Sequence, residues 1–207
     1  VTFSNTGTLT LGQGGGTLTY TGGVTATAPS GVTINGTIET TGTAASIGDA
    51  GTDVTLGSAS TVSTAGGNVD LGPVDGAQTF AVTAGAGTVS LAAIGATTPL
   101  TSLDVDSTNT VTLTGNITTD GGIIDFTGAT DIELAAGGGA ITLATEDGSN
   151  NNNAGAVGFA AAGNVDAADG SSLVPCQAAR GSQARPTACP PCRTDMTGTV
   201  TLRVCGT

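Results

Sequence analysis

The sequence predicts an all-β protein: a parallel β-helix (β-solenoid) of about eight short coils, followed by a cysteine-containing tail that ends in a strand. Three observations support this. Apolar residues come in alternating pairs separated by short turn-forming runs. The pattern returns after three strands, from Leu103 to Ile124 and again, at the same spacing, from Val111 to Ile132. Aromatic residues make up only 2% of the chain, and a narrow interior of stacked small side chains needs few of them.

The repeat is plainest over residues 103–144. Its apolar pairs are Leu103/Val105, Val111/Leu113, Ile124/Phe126, Ile132/Leu134 and Ile141/Leu143. Because every second residue is apolar, each pair predicts a short strand with two side chains on one face. Gly, Asn, Asp and Thr between the pairs favour sharp turns. A helical periodicity is absent from this pattern. An antiparallel sandwich would call for longer strands, more aromatic residues and more Asn-Gly turns.

The same pattern runs through the N-terminal part of the chain, with a coil length that drifts between repeats. Its pairs include Leu9/Leu11, Leu18/Tyr20, Val24/Ala26, Val32/Ile34, Val54/Leu56, Val69/Leu71, Phe80/Val82 and Val89/Leu91. Threonines at the alternate positions are expected to face solvent and to stack in ladders. Such arrays also raise an ice-binding interpretation, which ranks lower because threonine is spread over every strand. Residues 148–156 are predicted to be a polar loop.

Composition excludes several partners. The chain has 35 Gly, four basic residues, all of them Arg, and a net charge of −12. Nucleic acid and anionic membrane surfaces are therefore not expected to bind. No run approaches the roughly 18 apolar residues of a membrane span. The sequence begins at Val1 without a charged and apolar leader, which predicts a mature form or a segment of a longer protein.

Composition changes near residue 169, which predicts two domains: a solenoid over 1–168 and a tail over 169–207. The tail contains all the cysteines and all the arginines of the chain. The disulfide candidates are Cys176, Cys189, Cys192 and Cys205. Two disulfides and an extracellular location are the favoured interpretation. A zinc site or a redox pair at Cys189–Cys192 are the alternatives.

The end of the tail predicts a strand, because Val200, Leu202 and Val204 alternate with polar residues. This strand could fold back as a cap or add to the edge of a neighbouring chain. All four arginines lie in the tail, whereas 15 of the 16 acidic residues precede Arg180. Opposite charges at the two ends favour head-to-tail association.

Acidic pairs provide the main candidates for a metal site. Asp104 and Asp106 flank Val105, and Asp131 and Glu133 flank Ile132, so each pair is expected to point outward. Stacked carboxylates repel each other, and calcium would bridge them; a solvated acidic face is the alternative. No other cofactor is predicted.

The chain is predicted not to be an enzyme. The solenoid offers no basic residue beside its carboxylates, and five aromatic residues cannot wall a sugar-binding cleft. Asn35 and Asn116 stand in glycosylation acceptor patterns.

The strand-rich centre of the chain resembles the β-strand repeats of secreted bacterial surface proteins. The segment that carries the resemblance is residues 76–122, GAQTFAVTAGAGTVSLAAIGATTPLTSLDVDSTNTVTLTGNITTDGG. Those surface proteins are the filamentous-haemagglutinin-like and autotransporter-type adhesins. The resemblance extends over about residues 1–165 and lies in composition and period. It implies a right-handed parallel β-helix, secretion, and a structural or adhesive role.

The predicted function is a structural subunit of an extracellular filament, sheath or surface appendage. Solenoid ends carry unpaired backbone unless they are capped. Here the strand pattern begins at once, with Val1 and Phe3, so copies are expected to join head to tail. The alternative is a passenger segment of a secreted adhesin that binds host or surface glycans.

Overall fold

The solenoid prediction is confirmed by a computed structural model that describes residues 1–135, 141–145, 155–159, 164–167 and 199–202. In these ranges the chain forms 21 strands and no helix. Strands β1 to β20 pair only in parallel with one another, and the last strand, β21, is antiparallel to its neighbour. No helix in the described ranges has the length and apolar character needed to cross a membrane.

The strands stack in three sheets, and successive strands along the chain belong to each sheet in turn, with the single residue Ile94 in place of a sheet 1 strand between β12 and β13. Sheet 1 contains β1 (Leu9–Leu11), β4 (Val32–Ile34), β7 (Val54–Leu56), β10 (Val74–Asp75), β15 (Ile117–Thr118), β18 (Ile141–Ala144) and β21 (Thr199–Leu202). Sheet 2 contains β2 (Thr17–Tyr20), β5 (Thr37–Thr40), β8 (Ser60–Ser63), β11 (Thr79–Gly85), β13 (Ser102–Ser107), β16 (Ile124–Phe126) and β19 (Val157–Phe159). Sheet 3 contains β3 (Val24–Ala26), β6 (Ala45–Ile47), β9 (Val69–Leu71), β12 (Val89–Leu91), β14 (Thr110–Leu113), β17 (Asp131–Leu134) and β20 (Asn164–Ala167).

Sheet 1 is continuous through its middle because Ile94 bridges Val74 on one side and Ile117 on the other. The stack makes about six turns from the first coil to the last, fewer than the eight predicted. One reason is the long final coil, in which Ile124 pairs with Val157, whereas Leu103 in the preceding coil pairs with Ile124. The polar segment 148–156 falls within that final coil, and its residues 148–154 lie outside the described ranges.

Apolar side chains from all three sheets form ladders inside the coil. One ladder of sheet 3 consists of residues in register on successive strands, and they are Val24, Ala45, Val69, Val89, Val111 and Ile132. All are at most 2% exposed. Burying one such valine or isoleucine stabilises the fold by about 1.5–3 kcal/mol. The period-2 pattern of the sequence therefore defines the interior correctly.

The hydroxyl side chains divide between the surface and the interior. Thr10, Thr33 and Thr55 align on successive strands of sheet 1, as the predicted outward ladders require. A second group of hydroxyl side chains lies outside these outward positions and is buried; it is made up of Thr40, Thr52, Ser60, Thr64, Ser107, Thr119 and Thr145. These side chains donate hydrogen bonds to turn carbonyls; Thr119 Oγ1, for example, lies 2.7 Å from the carbonyl oxygen of Gly122.

Glycine is required where the corners of successive coils stack on each other. A Cβ atom on Gly87 would lie 2.0 Å from the Gly67 carbonyl oxygen, and one on Gly67 would lie 2.2 Å from that of Thr43. No side chain can occupy such a position without a backbone shift. The corner between sheets 2 and 3 is therefore a column of closely stacked backbone.

Candidate assembly surfaces

The N-terminal end of the solenoid is covered on sheet 3. Residues 1–3 run parallel to β3: the Phe3 amide donates to the Thr25 carbonyl at 2.9 Å, and the Thr25 amide donates to the Val1 carbonyl at 2.8 Å. The amino terminus of Val1 also donates to the Gly23 carbonyl at 2.6 Å. On sheets 1 and 2, by contrast, no strand of the described ranges pairs with the outer edges of β1 and β2.

Apolar side chains at this end are only partly covered. Leu9, Leu18, Phe3 and Tyr20 pack against the core without being fully buried, and Val1 is 59% exposed. The Phe3 and Tyr20 rings meet edge to face, with centroids 6.3 Å apart and planes at 89°. Partial burial raises the pKa of the Tyr20 phenol above its usual value. The surface of this end therefore combines strand edges that have no partner in the described ranges with apolar side chains that are partly exposed to solvent.

A shallow cleft of about 500 Å³ lies at the corner between β1 and β2. It is lined by Thr10, Gly12, Gln13, Gly16, Thr17 and Leu18. Gly14 and Gly15 in the same turn have open space where a Cβ would stand. The same turn nevertheless stacks closely on the next coil at Gly12, where a Cβ would lie 2.2 Å from the Asn35 carbonyl oxygen.

The C-terminal end has the same character. Val157 and Phe159 on β19 and Val165 on β20 pack against the core and remain partly exposed. The Phe159 ring stacks on that of Phe126, with centroids 6.0 Å apart and planes at 19°. Within the described part of the chain, the outer edges of β19 and β20 carry no further strand.

Partial coverage of the core is confined to the two ends. The apolar residues that pack against the core without full burial all belong to residues 1–20 or to the last coil, and they are Phe3, Leu9, Leu18, Tyr20, Val157, Phe159 and Val165. Between them, the inward-facing apolar residues of the strands of the inner coils are buried. In the described ranges, the core is thus closed along the sides of the solenoid and only partly covered at its ends. Ile123, which is 47% exposed, is the large apolar residue that is exposed between the ends in those ranges.

The C-terminal strand folds back on its own chain. β21 lies antiparallel to β18, with Val200 opposite Leu143 and Leu202 opposite Ile141. The structure thus shows the predicted fold-back of this strand onto its own chain through one edge, and Val204 lies outside the described residues. Because its direction is reversed, β21 ends the parallel series of sheet 1 at this end.

The remaining tail candidates are the cysteines. Cys176, Cys189, Cys192 and Cys205, together with all four arginines, lie outside the described residues. The two predicted disulfides therefore stay a prediction.

The four predicted calcium ligands do not share one site. Asp104 and Asp106 lie on β13 in sheet 2, whereas Asp131 and Glu133 lie on β17 in sheet 3. Asp104 instead stands in register with Asp125 on β16. Partial desolvation raises the pKa of the Asp104 carboxyl, and the charges of Asp125 and Asp106 raise it further. Sequence reasoning missed Asp125, although the repeat that relates Leu103 to Ile124 also places Asp125 one coil beyond Asp104.

The second acidic pair has a hydrogen-bond partner of its own. Thr112 Oγ1 lies 3.3 Å from Glu133 Oε2 on the adjacent strand. In the described ranges, no group of three or more His, Cys, Asp or Glu residues has an arrangement that could hold a metal ion. Calcium binding thus stays a prediction without a formed site to support it.

The uneven placement of the aromatic residues is the feature that sequence reasoning missed. Phe3, Tyr20 and Phe159 are three of the five aromatic residues, and all three lie in the end coils. Their clustering near the two limits of the repeat region is visible in the sequence and could have marked the ends as contact surfaces.

Comparison of the chain with protein-family models, with curated proteins and with solved structures finds no match.

Proposed function

We propose that this protein is the structural subunit of an extracellular filament, sheath or surface appendage, in which copies stack head to tail along the solenoid axis. The observation that carries the proposal is that the apolar side chains packed against the core without full burial all lie at the two ends. Strand edges without a partner in the described ranges accompany these side chains at each end. Unpaired edges beside apolar surface favour association with another β edge.

The contact between such ends is heterologous, because the N-terminal end of one copy meets the C-terminal end of the next. A heterologous contact that does not close into a ring produces a filament. The parallel strands of β1 to β20 run in one sense, so successive copies can keep a common strand direction. Association then buries the apolar end surfaces, and this stabilises the contact by about 25 cal/mol for each Å² removed from water.

The tail is proposed to reinforce the contact in an oxidising environment. Its four cysteines and four arginines lie within residues 176–205, next in sequence to the last solenoid strand. A disulfide between neighbouring copies would run as a ladder of multimers on nonreducing electrophoresis, and disulfides within each chain would run as a monomer.

Two end variants test the head-to-tail contact. Leu9→Lys places a charge at the N-terminal end, and Val165→Lys places one at the C-terminal end. Each variant alone should stay monomeric, because every contact needs one intact N-terminal end and one intact C-terminal end. An equimolar mixture should stop at dimers, joined through the two unmodified ends. Electron microscopy and sedimentation velocity measure the outcome.

The control is Ser90→Lys, which adds the same charge on the partly exposed outer side of β12, away from both ends. Circular dichroism and thermal melting show whether each variant keeps its fold. Filaments of wild type and of Ser90→Lys, together with their loss in both end variants, support the proposal. Filaments in a folded Leu9→Lys or Val165→Lys variant would overturn it.

The competing function is a segment of a longer secreted adhesin, since unpaired end strands also suit a solenoid that continues into further coils. Wild-type protein that remains monomeric at high concentration would favour this alternative.

A further inference from the structure

We infer that stacked copies repeat every eight strand layers, with β20 pairing to residues 1–3 of the next copy and β21 pairing to β1. This inference rests on the proposed filament and specifies its contact. It follows from counting the layers, or rungs, that the described residues of one copy contribute to each sheet.

Sheet 3 contributes eight rungs. It contains seven named strands from β3 to β20, and residues 1–3 add one more rung before β3, through the parallel bridge between Thr2 and Thr25. When β20 of one copy meets residues 1–3 of the next, both run in the same direction. The sheet then continues in parallel without a break.

Sheet 1 also contributes eight rungs. The parallel series runs through β1, β4, β7, β10, the Ile94 bridge, β15 and β18, and β21 adds the eighth rung. β21 is antiparallel to β18, so it would pair antiparallel with β1 of the next copy. The rung counts of sheet 1 and sheet 3 therefore give the same eight-rung repeat independently.

In the part of the chain that the structure describes, sheet 2 contributes seven rungs, from β2 to β19. At an eight-rung repeat, β19 of one copy and β2 of the next lie two strand spacings apart, about 10 Å. The contact is thus continuous on two sheets and leaves a slot one strand wide on the third. Leu18 and Phe159, both only partly buried, belong to the strands that border this slot.

Backbone hydrogen bonding at residues 1–3 leaves the correct groups free for this contact. Phe3 donates and Val1 accepts on the side of β3. In a parallel strand the intervening residue, Thr2, directs its amide and carbonyl to the opposite edge. That edge faces the neighbouring copy in the proposed stack.

A seven-rung repeat is the alternative, and it would join β19 directly to β2. It requires residues 1–3 to leave β3, which breaks the bonds of Val1 and Phe3. It also requires β21 to leave β18, which breaks a four-residue pairing. The eight-rung repeat keeps the pairing of residues 1–3 with β3 and the pairing of β21 with β18.

The axial rise per subunit in filaments of the full chain distinguishes the two registers. At about 4.8 Å per rung, eight rungs predict a rise of about 38 Å and seven predict about 34 Å. Cryo-electron microscopy with helical reconstruction measures this rise. The eight-rung value supports the inference. A rise of about 34 Å would overturn the eight-rung register but would still agree with the proposed filament. An absence of filaments would overturn both the register and the proposed filament.

Thr2→Pro supplies a second test, with Thr2→Val as its matched control. Proline removes the amide hydrogen at the outer edge of residues 1–3 and fixes φ of that residue, whereas valine keeps the amide hydrogen. In the eight-rung register, Thr2→Pro should raise the critical concentration for assembly about fivefold relative to Thr2→Val, the effect of one lost hydrogen bond of about 1 kcal/mol. Equal critical concentrations would overturn the register.

Discussion

Buried hydroxyls are the individual residues that hold the corners of the coil. Thr64 Oγ1 donates to the Gly67 carbonyl and is buried with its partner. Thr43 presents the opposite case: its Oγ1 atom is the one buried side-chain polar atom without a hydrogen-bond partner in the described part of the chain. A buried polar atom that is unpaired costs free energy, whereas a paired one does not.

We therefore expect valine to act in opposite directions at these two threonines. Thr43→Val removes an unpaired hydroxyl with little change in shape and should raise the free energy of unfolding by up to about 1 kcal/mol. Thr64→Val removes a formed hydrogen bond and should lower it by about 1–2 kcal/mol. Urea denaturation followed by circular dichroism measures both. Destabilisation of similar size in both variants would contradict the assigned hydrogen bonds.

Asp104 makes the stability of the protein depend on pH. Its folded-state pKa is raised by desolvation and by Asp125 and Asp106, so the folded state binds this proton more tightly than the unfolded state does. The resulting stabilisation is fully present below the unfolded-state pKa and is lost as the pH rises through the folded-state pKa. Asp104→Asn removes the effect and should raise the melting temperature at pH 7 by about 1–2 °C.

The control for Asp104→Asn is Asp53→Asn, which removes the same charge from an exposed residue outside this cluster. The difference between Asp104→Asn and wild type should shrink as the pH is lowered, because protonation already neutralises Asp104. Scanning calorimetry from pH 3 to pH 7 measures this. A difference that grows at low pH would contradict the assigned direction.

Corners are the elements on which the stacking of coils depends. The column of backbone through Gly67 and Gly87 leaves no space for a Cβ atom. Gly87→Ala should lower the free energy of unfolding by about 1–3 kcal/mol, since the coils must move apart. Gly22→Ala is the matched control, because a Cβ at Gly22 meets nothing within 4 Å. It should be neutral or slightly stabilising. Equal losses in both variants would show that the column is less tightly stacked than described.

Strand positions could be predicted from the sequence because alternation reports directly on a two-residue period. Val111 and Leu113 had to point the same way, and both are buried in β14. The corners could not be predicted in the same way, because the hydrogen bonds of buried threonines depend on contacts between coils. The strand of Thr199–Leu202 was predicted, but its partner was not, since pairing of distant segments leaves no periodic signal.

The acidic pairs also show that alternation predicts the face of a strand but not the neighbours of that strand. Alternation correctly placed Asp104 and Asp106 on the outside of β13. It could not reveal that Asp131 and Glu133 lie on another sheet, because the sheet to which a strand belongs depends on the number of corners between strands. Counting strands within each repeat, and not residues alone, would have separated the two pairs.

On the scale of the whole molecule, the sides and the ends of the solenoid differ in chemistry. The sides carry paired backbone over a sealed interior, and the outward positions hold threonines and most of the acidic side chains of the described ranges. The ends carry partly covered apolar residues and strand edges that have no partner among the described residues. Like charges along the sides disfavour lateral packing, so association is directed to the ends.

X-ray fibre diffraction from aligned filaments of the full chain tests the proposed axial stacking most directly. If copies stack end to end, the strands lie perpendicular to the filament axis, and the spacing between coils produces a reflection near about 4.8 Å on the meridian. That result is the one predicted here. The same reflection on the equator would mean that solenoids pack side by side across the filament, and it would contradict assembly through the ends.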